Sequence, residues 1–284
     1  MTLLKFDISD DRIRAIIPNV MRSTTQTKRD ADSLSSLSSR LAPFIDSSWM
    51  WLGEWTGETI PDVCASDTSI QDAITRFITL HAFASAIPSL NLILTPNGFA
   101  TAGTDTIVPA SKARTDDLMA GLQAQSRMAL HALLRALQGY PEFRETVAGS
   151  SISCTLFAGL NLFATPGKIC APEDFYIRLD AVARAERRLA DRWLSTELLA
   201  ALRRESFDAI RSGKWSPRLA IANRIRLIVD LAVDGTLSLS DILPVVETVR
   251  TSDCCPEFAT SKTAQILSDE GLFKNSHGSS AFWF

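Results

Sequence analysis

Three histidines (His81, His131, His277), five cysteines (Cys64, Cys154, Cys170, Cys254, Cys255) and the pair Gly167-Lys168 are the residues through which nucleophilic, metal or phosphate chemistry would run in this chain. Nucleophilic catalysis needs a serine or cysteine beside a histidine base that a third group orients. None of the histidines stands in a sequence signature of that kind. A phosphate loop reads G-x-x-x-x-G-K followed by Ser or Thr. Here Gly159 and Gly167 enclose seven residues and Ile169 follows Lys168, so that reading fails. The cysteines are odd in number and none form a Cys-x-x-Cys pair, which fits reduced thiols better than a disulfide framework. Adjacent Cys254 and Cys255 could act as a redox or soft-metal pair, but without a second cluster they make a poor metal cage. His81 falls on an apolar stripe with Ile70, Ile74, Phe77 and Ala84, with no Cys, Asp or Glu at ligand spacing, and reads as a satisfied core residue. Glu186 interrupts the stripe Phe175, Leu179, Val182, Leu189, Trp193. It could be a functional carboxylate, but with Arg187, Arg188 and Arg192 nearby an interhelical ion pair is the expected role. No catalytic, cofactor-binding or metal-ligating residue is assigned.

The elements that would position these side chains are mainly helical. A short helix is expected over 8–17, opened by Ser9-Asp10-Asp11 and closed by Pro18. A second, from about Asp30, carries Leu34, Leu37, Leu41, Phe44 and Ile45 on one face. It leads into Trp49-Met-Trp51-Leu-Gly53-Glu-Trp55-Thr-Gly57, where the glycines suggest a helix end and a packed aromatic corner, core or subunit interface. A third helix spans 69–87, capped near Ser66-Asp67 and stopped by Pro88. A β-hairpin follows: Leu90, Leu92 and Leu94 alternate with Asn91, Ile93 and Thr95, Pro96 opens the turn, and Asn97-Gly98 supplies the positive-φ pair. The longest helix covers 112–138, with Ser111 as N-cap, Leu118, Leu122, Ala129, Leu133 and Leu137 on its core face and His131 off it. Residues 146–172 are rich in Ser, Gly and β-formers and almost uncharged, a second hairpin or a crossover. Helices then follow at Pro172-Glu173-Asp174, over 195–212, over 218–233 and over 242–250, with a short extended piece at Leu237-Ser-Leu. The last thirty residues lose periodicity and end in Phe282-Trp283-Phe284.

The organisation expected is an N-terminal helical domain over 1–148 with a β-hairpin near 90–102, a crossover, linker or second hairpin over 149–172, and a C-terminal helical domain over 173–284 with an irregular aromatic tail. The fold class is mainly α, a helical bundle with inserted β-hairpins and minor α+β content. Two similar halves are suggested because the order helix, Trp-Leu corner, helix, extended element occurs twice, with Trp51-Leu52 set against Trp193-Leu194.

Composition narrows the class. At 284 residues, with 46% apolar and 21% charged residues, the chain is globular, with one large domain or two. The acidic start lacks a basic region followed by an apolar core, so a signal peptide is not expected, and no window reads as a membrane span. The net charge of −3 hides an asymmetry. From Tyr176 to Arg226 twelve Lys/Arg face six acids, whereas from Leu227 onward three bases face eight acids. Opposite charges on successive segments suit a head-to-tail contact between identical subunits, or they belong to solvated helix faces.

The segment Leu90-Asn-Leu-Ile-Leu-Thr-Pro-Asn-Gly98-Phe99, followed by Ile107-Val-Pro-Ala-Ser111-Lys112, resembles a hallmark of an uncharacterised family encoded in phages and prophages of Bacteroidetes, close to head and neck genes. Leu41-Ala-Pro-Phe-Ile-Asp and Trp51-Leu-Gly53 also look like that family's N-terminal pattern; the aromatic Trp49, Trp51, Trp55 corner departs from it. The resemblance covers roughly residues 30–140 and implies no catalytic residues. It implies a virion structural protein, a head-tail connector or adaptor at the neck, made in the host cytoplasm and assembled as a twelvefold or similar ring beneath the portal. The partners implied are other copies, the portal protein, tail and neck proteins and passing DNA, with no membrane and no cofactor. An alternative of another class is a nucleic-acid-binding module using the basic 176–226 segment, although no reader motif is present. The residues proposed to touch partners are Pro96, Asn97 and Gly98 at the hairpin tip, Arg184, Arg187, Arg188 and Arg192 of the basic segment, and Phe282, Trp283 and Phe284. Leaving three such rings in water would cost roughly 2 kcal/mol each, so they should dock on a sheet edge or a neighbour.

Overall fold

The computed structural model describes residues 2–3, 5, 8–17, 37–90, 93–95, 98–100 and 112–268. It is mainly helical and divides into two compact units, Met1–Ser151 and Ile152–Phe284.

In unit 1 the helices are α1 (Asp10–Ile16), α2 (Leu37–Thr56), α3 (Asp62–Ala65), α4 (Thr68–Leu90), α5 (Lys112–Gln138), α6 (Pro141–Arg144) and α7 (Val147–Ile152), the last reaching one residue beyond it. A strand β1 (Thr2–Leu3) pairs antiparallel with β2 (Thr59–Ile60), which the sequence pattern did not suggest. Helix α4 is the centre, with α2 and α5 packed along it. Its Ile70, Ile74, Phe77 and Ile78 are all but inaccessible to solvent, as are Leu41 and Leu52 of α2 and Leu130, Leu133 and Leu137 of α5. Each large apolar side chain buried this way contributes about 1.5–3 kcal/mol.

Two expected breaks do not occur. The helix does not turn at Trp49–Gly53 but continues to Thr56 and stops at Gly57, whose φ of +78° suits a helix C-terminus. Gly53 simply sits within α2, where a Cβ would meet nothing within 4 Å. Pro88 does not end α4: it lies in the last turn, where the lost N–H bond and the crowding of the Ala84 carbonyl affect only the final residues, and the helix closes at Leu90. Trp49 and Trp55 are buried, while half-buried Trp51 stacks on Phe77 with ring centroids 5.6 Å apart. On the expected core face of α5, Leu118 is 42% exposed, since only the later turns are covered. Strand β3 (Ile93–Thr95) pairs antiparallel with β4 (Gly98–Ala100) in the register Ile93↔Ala100, Leu94↔Phe99, Thr95↔Gly98. Pro96, Asn97 and Ser111 lie outside the described residues.

Unit 2 contains α8 (Phe175–Leu189), α9 (Thr196–Ser212), α10 (Pro217–Val233), α11 (Leu239–Thr251), α12 (Pro256–Ala259) and α13 (Lys262–Ser268). Residues 146–172 are not a hairpin. Helix α7 occupies their start, and beyond it only an isolated bridge joins Ala158 and Asn161. A π-helical turn, Ala190–Leu194, links α8 to Ser195, which adopts φ 70° and whose hydroxyl caps α9 by accepting Leu198 N–H at 3.2 Å. The expected extended piece at Leu237 is a helix entry: Ser238 and Asp241 form a capping box at the start of α11. Residues 256–268 are more regular than their periodicity suggested, because the short α12 and α13 carry too few turns to show a period.

Two positions test the account of unit 1. Asp67 caps α4, accepting the Ser69 hydroxyl at 2.6 Å, Ser69 N–H at 2.8 Å and the Tyr140 hydroxyl, and these donors, the Ser69 hydroxyl foremost, hold its carboxyl down at about 2 against an ordinary 3.8. A depressed carboxyl stabilises above its unfolded pKa, and that contribution is lost as pH falls through its folded pKa. Asp67→Ala should therefore cost about 1 kcal/mol at pH 7, with the penalty fading between pH 4 and pH 2 in pH-resolved denaturant melts. At Gly149 a Cβ would lie 1.9 Å from the Phe143 carbonyl oxygen. Gly149→Ala should lower stability by about 2–3 kcal/mol, whereas Gly53→Ala should leave it unchanged or raise it by about 1 kcal/mol, both read by thermal denaturation.

Candidate functional site

The basic segment of unit 2 is put to two different uses. Part of it holds the nearly uncharged loop that precedes α8. The buried Glu186 carboxylate accepts the Leu156 N–H at 2.7 Å and pairs with Arg203 of α9 at 3.2 Å. Arg226 of α10 donates to the Leu156 carbonyl at 2.9 and 2.6 Å. Further along the loop, Arg178 of α8 donates to the Leu162 carbonyl at 3.0 Å, lies 3.8 Å from the Phe163 ring centroid and pairs with Asp230, which accepts the Ala164 N–H at 3.0 Å. Arg218 of α10 bridges Glu205 of α9 at 2.9 Å and Glu257 of α12 at 3.1 Å. Glu186 is thus an interhelical ion pair, but its partner is Arg203, not the arginines next to it in sequence. Burial pushes its carboxyl above the usual range, against the opposing pull of Leu156 N–H and Arg203.

The other face of α8 is exposed. Arg184, Arg188 and Arg192 recur every four residues, so they share one stripe that runs through the π-helical turn. All three line a groove of about 500 Å³ whose apolar surface includes Ala185, Leu189, Trp193 and, from α11, Ile242. Arg184 also makes an exposed pair with Asp180 at 3.0 Å, an interaction of about 0.3–0.5 kcal/mol. Arg188 and Arg192 form no ion pair among the described residues. Arg187 is exposed off this stripe and does not line the groove. The structure therefore gathers three of the four proposed arginines, adds a tryptophan and an aliphatic floor that the charge count did not show, and leaves the fourth apart. Such a surface suits a chain segment that offers both acidic and apolar side chains.

His277 lies outside the described residues, and His81 is engaged in packing. His81 Nδ1 lies 2.8 Å from Ser48 Oγ, its ring stacks 5.0 Å from Trp51, and burial lowers its pKa, keeping the imidazole neutral. The Ser48 hydroxyl donates to the Phe44 carbonyl at 2.7 Å, which assigns the imidazole proton to Nδ1. The five cysteines are free thiols. Cys254 and Cys255 sulfurs stand 4.0 Å apart, and burial together with its neighbour pushes the Cys255 thiol up to about 12, so it is protonated at neutral pH. Among the described residues no group of three or more His, Cys, Asp or Glu is placed to hold a metal ion, and no helix is long and apolar enough to cross a membrane. Gly98 opens β4, whereas Pro96, Asn97, Phe282, Trp283 and Phe284 lie outside the described residues.

Residues 52–151 match the model of DUF6712, a family of unknown function. Neither a curated protein nor a solved structure matches the chain. The matched span falls in unit 1 and ends with it, so the groove lies beyond it.

The Glu186 clamp separates charge from hydrogen bonding. A carboxyl with a raised folded pKa stabilises most below its unfolded pKa, near 4.3, and loses that contribution as pH rises through the folded value. Glu186→Gln keeps an acceptor for Leu156 N–H, so it should change stability at pH 7 by less than about 1 kcal/mol and flatten the decline from pH 4.5 toward neutrality. Glu186→Ala strips the acceptor from Leu156 and Arg203 and should cost about 2–3 kcal/mol, discounted because Arg203 is 29% exposed. Chemical denaturation across pH reads both.

Proposed function

We propose that the chain is a non-enzymatic structural subunit of a phage virion, a head-tail connector or adaptor that assembles as a ring beneath the portal. The observation that carries this reading is the groove of α8: Arg188 and Arg192, which form no ion pair among the described residues, stand with Arg184 above an apolar floor that suits a protein contact. The resemblance of Leu90–Phe99 and Trp51-Leu-Gly53 to a family encoded beside phage head and neck genes supplies the class of assembly. In this reading β3 and β4 belong to a hairpin whose tip, Pro96-Asn97-Gly98, contacts a neighbour, and the two units descend from similar halves. The chain resides in the virion after synthesis in the host cytoplasm.

The competing reading, a nucleic-acid-binding module, draws on the same basic segment. Four of its arginines, Arg178, Arg203, Arg218 and Arg226, are bonded within unit 2 and are less available to phosphates. The arginines that remain exposed could face passing DNA in a ring without reading its sequence.

Mass photometry of the purified chain, alone and with portal protein, tests the proposal. A closed oligomer of about twelve copies, or one that forms on adding portal, is the expected result. A monomer that ignores portal and shifts duplex DNA at about 150 mM salt, where weak phosphate contacts are screened, would overturn it in favour of the competing reading.

A further inference from the structure

We infer that the α8 groove receives the segment 269–284 of a neighbouring copy, its aromatic residues seated on the apolar floor and its acidic residues facing Arg188 and Arg192. The inference deepens the ring reading and rests on it for the identity of the neighbour. The groove's volume of about 500 Å³ falls in the range of specific pockets, roughly 300–1,000 Å³. Its demands are two: apolar bulk to cover Leu189, Trp193 and Ile242, and negative charge for two arginines that have no ion partner among the described residues. The sixteen residues that follow α13 meet both, with Asp269-Glu270 beside Leu272-Phe273 and then Phe282-Trp283-Phe284. They belong to the acidic stretch after Leu227, while the arginines belong to the basic one before it, so one chain carries both halves of a complementary pair. A donor segment and a different acceptor surface on each copy make a heterologous contact, which closes into a ring when the rotation between copies allows.

Two full-length variants separate donor from acceptor. Arg188→Glu with Arg192→Glu spoils the groove and leaves the segment intact; Phe282→Ser, Trp283→Ser and Phe284→Ser spoil the segment and leave the groove intact. The arginines are exposed, so the groove variant should fold as wild type, and circular dichroism and melting check that both variants are folded before assembly is read. In mass photometry each variant alone is expected to be monomeric, and an equimolar mixture is expected to give dimers and nothing larger, because one sound donor meets one sound acceptor. Assembly of either variant alone to the wild-type size, or a mixture that stays monomeric, overturns the inference.

A second arm does not require rings: a fluorescein-labelled peptide of residues 269–284 is titrated against the segment-spoiled variant. Saturable binding that Arg188→Glu with Arg192→Glu weakens about tenfold or more, and that added salt weakens further, supports the groove even if the wild-type chain forms no ring. Absence of binding overturns the groove, and a peptide that binds the segment-spoiled variant but not a monomeric wild-type chain shows occupation within one copy and overturns the neighbour.

Discussion

Residues 153–171 carry a single charge, Lys168, and no regular ladder to satisfy their backbone. A loop of that kind keeps one conformation only if side chains from rigid elements take its N–H and C=O groups. In unit 2 this falls to Glu186 and Arg226, which take the N–H and the C=O of Leu156, and to Arg178 and Asp230, which take the Leu162 C=O and the Ala164 N–H. Both pairs join α8 to α10 through the loop, so the loop and the helix pair specify one another. Buried ion pairs are poor sources of net stability because desolvation offsets attraction. Their contribution here is geometric: they fix the rotation of α8 about its axis.

That rotation decides what α8 shows to solvent. With Arg178, Val182 and Glu186 turned toward the loop and the core, Arg184, Arg188 and Arg192 take the outward stripe beside Leu189 and Trp193. The same helix therefore spends some of its charge on holding the fold and offers the rest. A basic segment judged by net charge alone would read as a uniform patch. Once four arginines are bonded inside unit 2, three of those left, Arg184, Arg188 and Arg192, form a narrow row over apolar surface, a shape that discriminates by side-chain type and not only by sign of charge.

Periodicity made the long elements readable. The limits of α5 at Lys112 and Gln138 agree with its cap-to-glycine pattern, and the stripe Phe175, Leu179, Val182, Glu186, Leu189 is buried as its spacing requires, whereas its last member, Trp193, is half-buried and lines the groove. Breaks were harder, since Gly53 and Pro88 are punctuation that packing along α4 overrides. What spacing could not reveal is the long-range pairing: nothing in Glu186 or Arg203 announces the other seventeen residues away, and Asp230 meets Arg178 from fifty-two. The groove was half legible. Four-residue spacing places three arginines on one stripe, but the aliphatic floor is completed by Ile242 from α11, which only the fold brings there.

The central claim is that the chain works through contacts between copies and that the α8 groove is one of the surfaces they use. Electron cryomicroscopy of the protein mixed with portal protein tests this most directly. The account predicts a closed, rotationally symmetric ring in which the groove of each subunit is filled by an aromatic segment of the adjacent one. A ring whose α8 arginines face open solvent, or particles with no rotational symmetry, would contradict it.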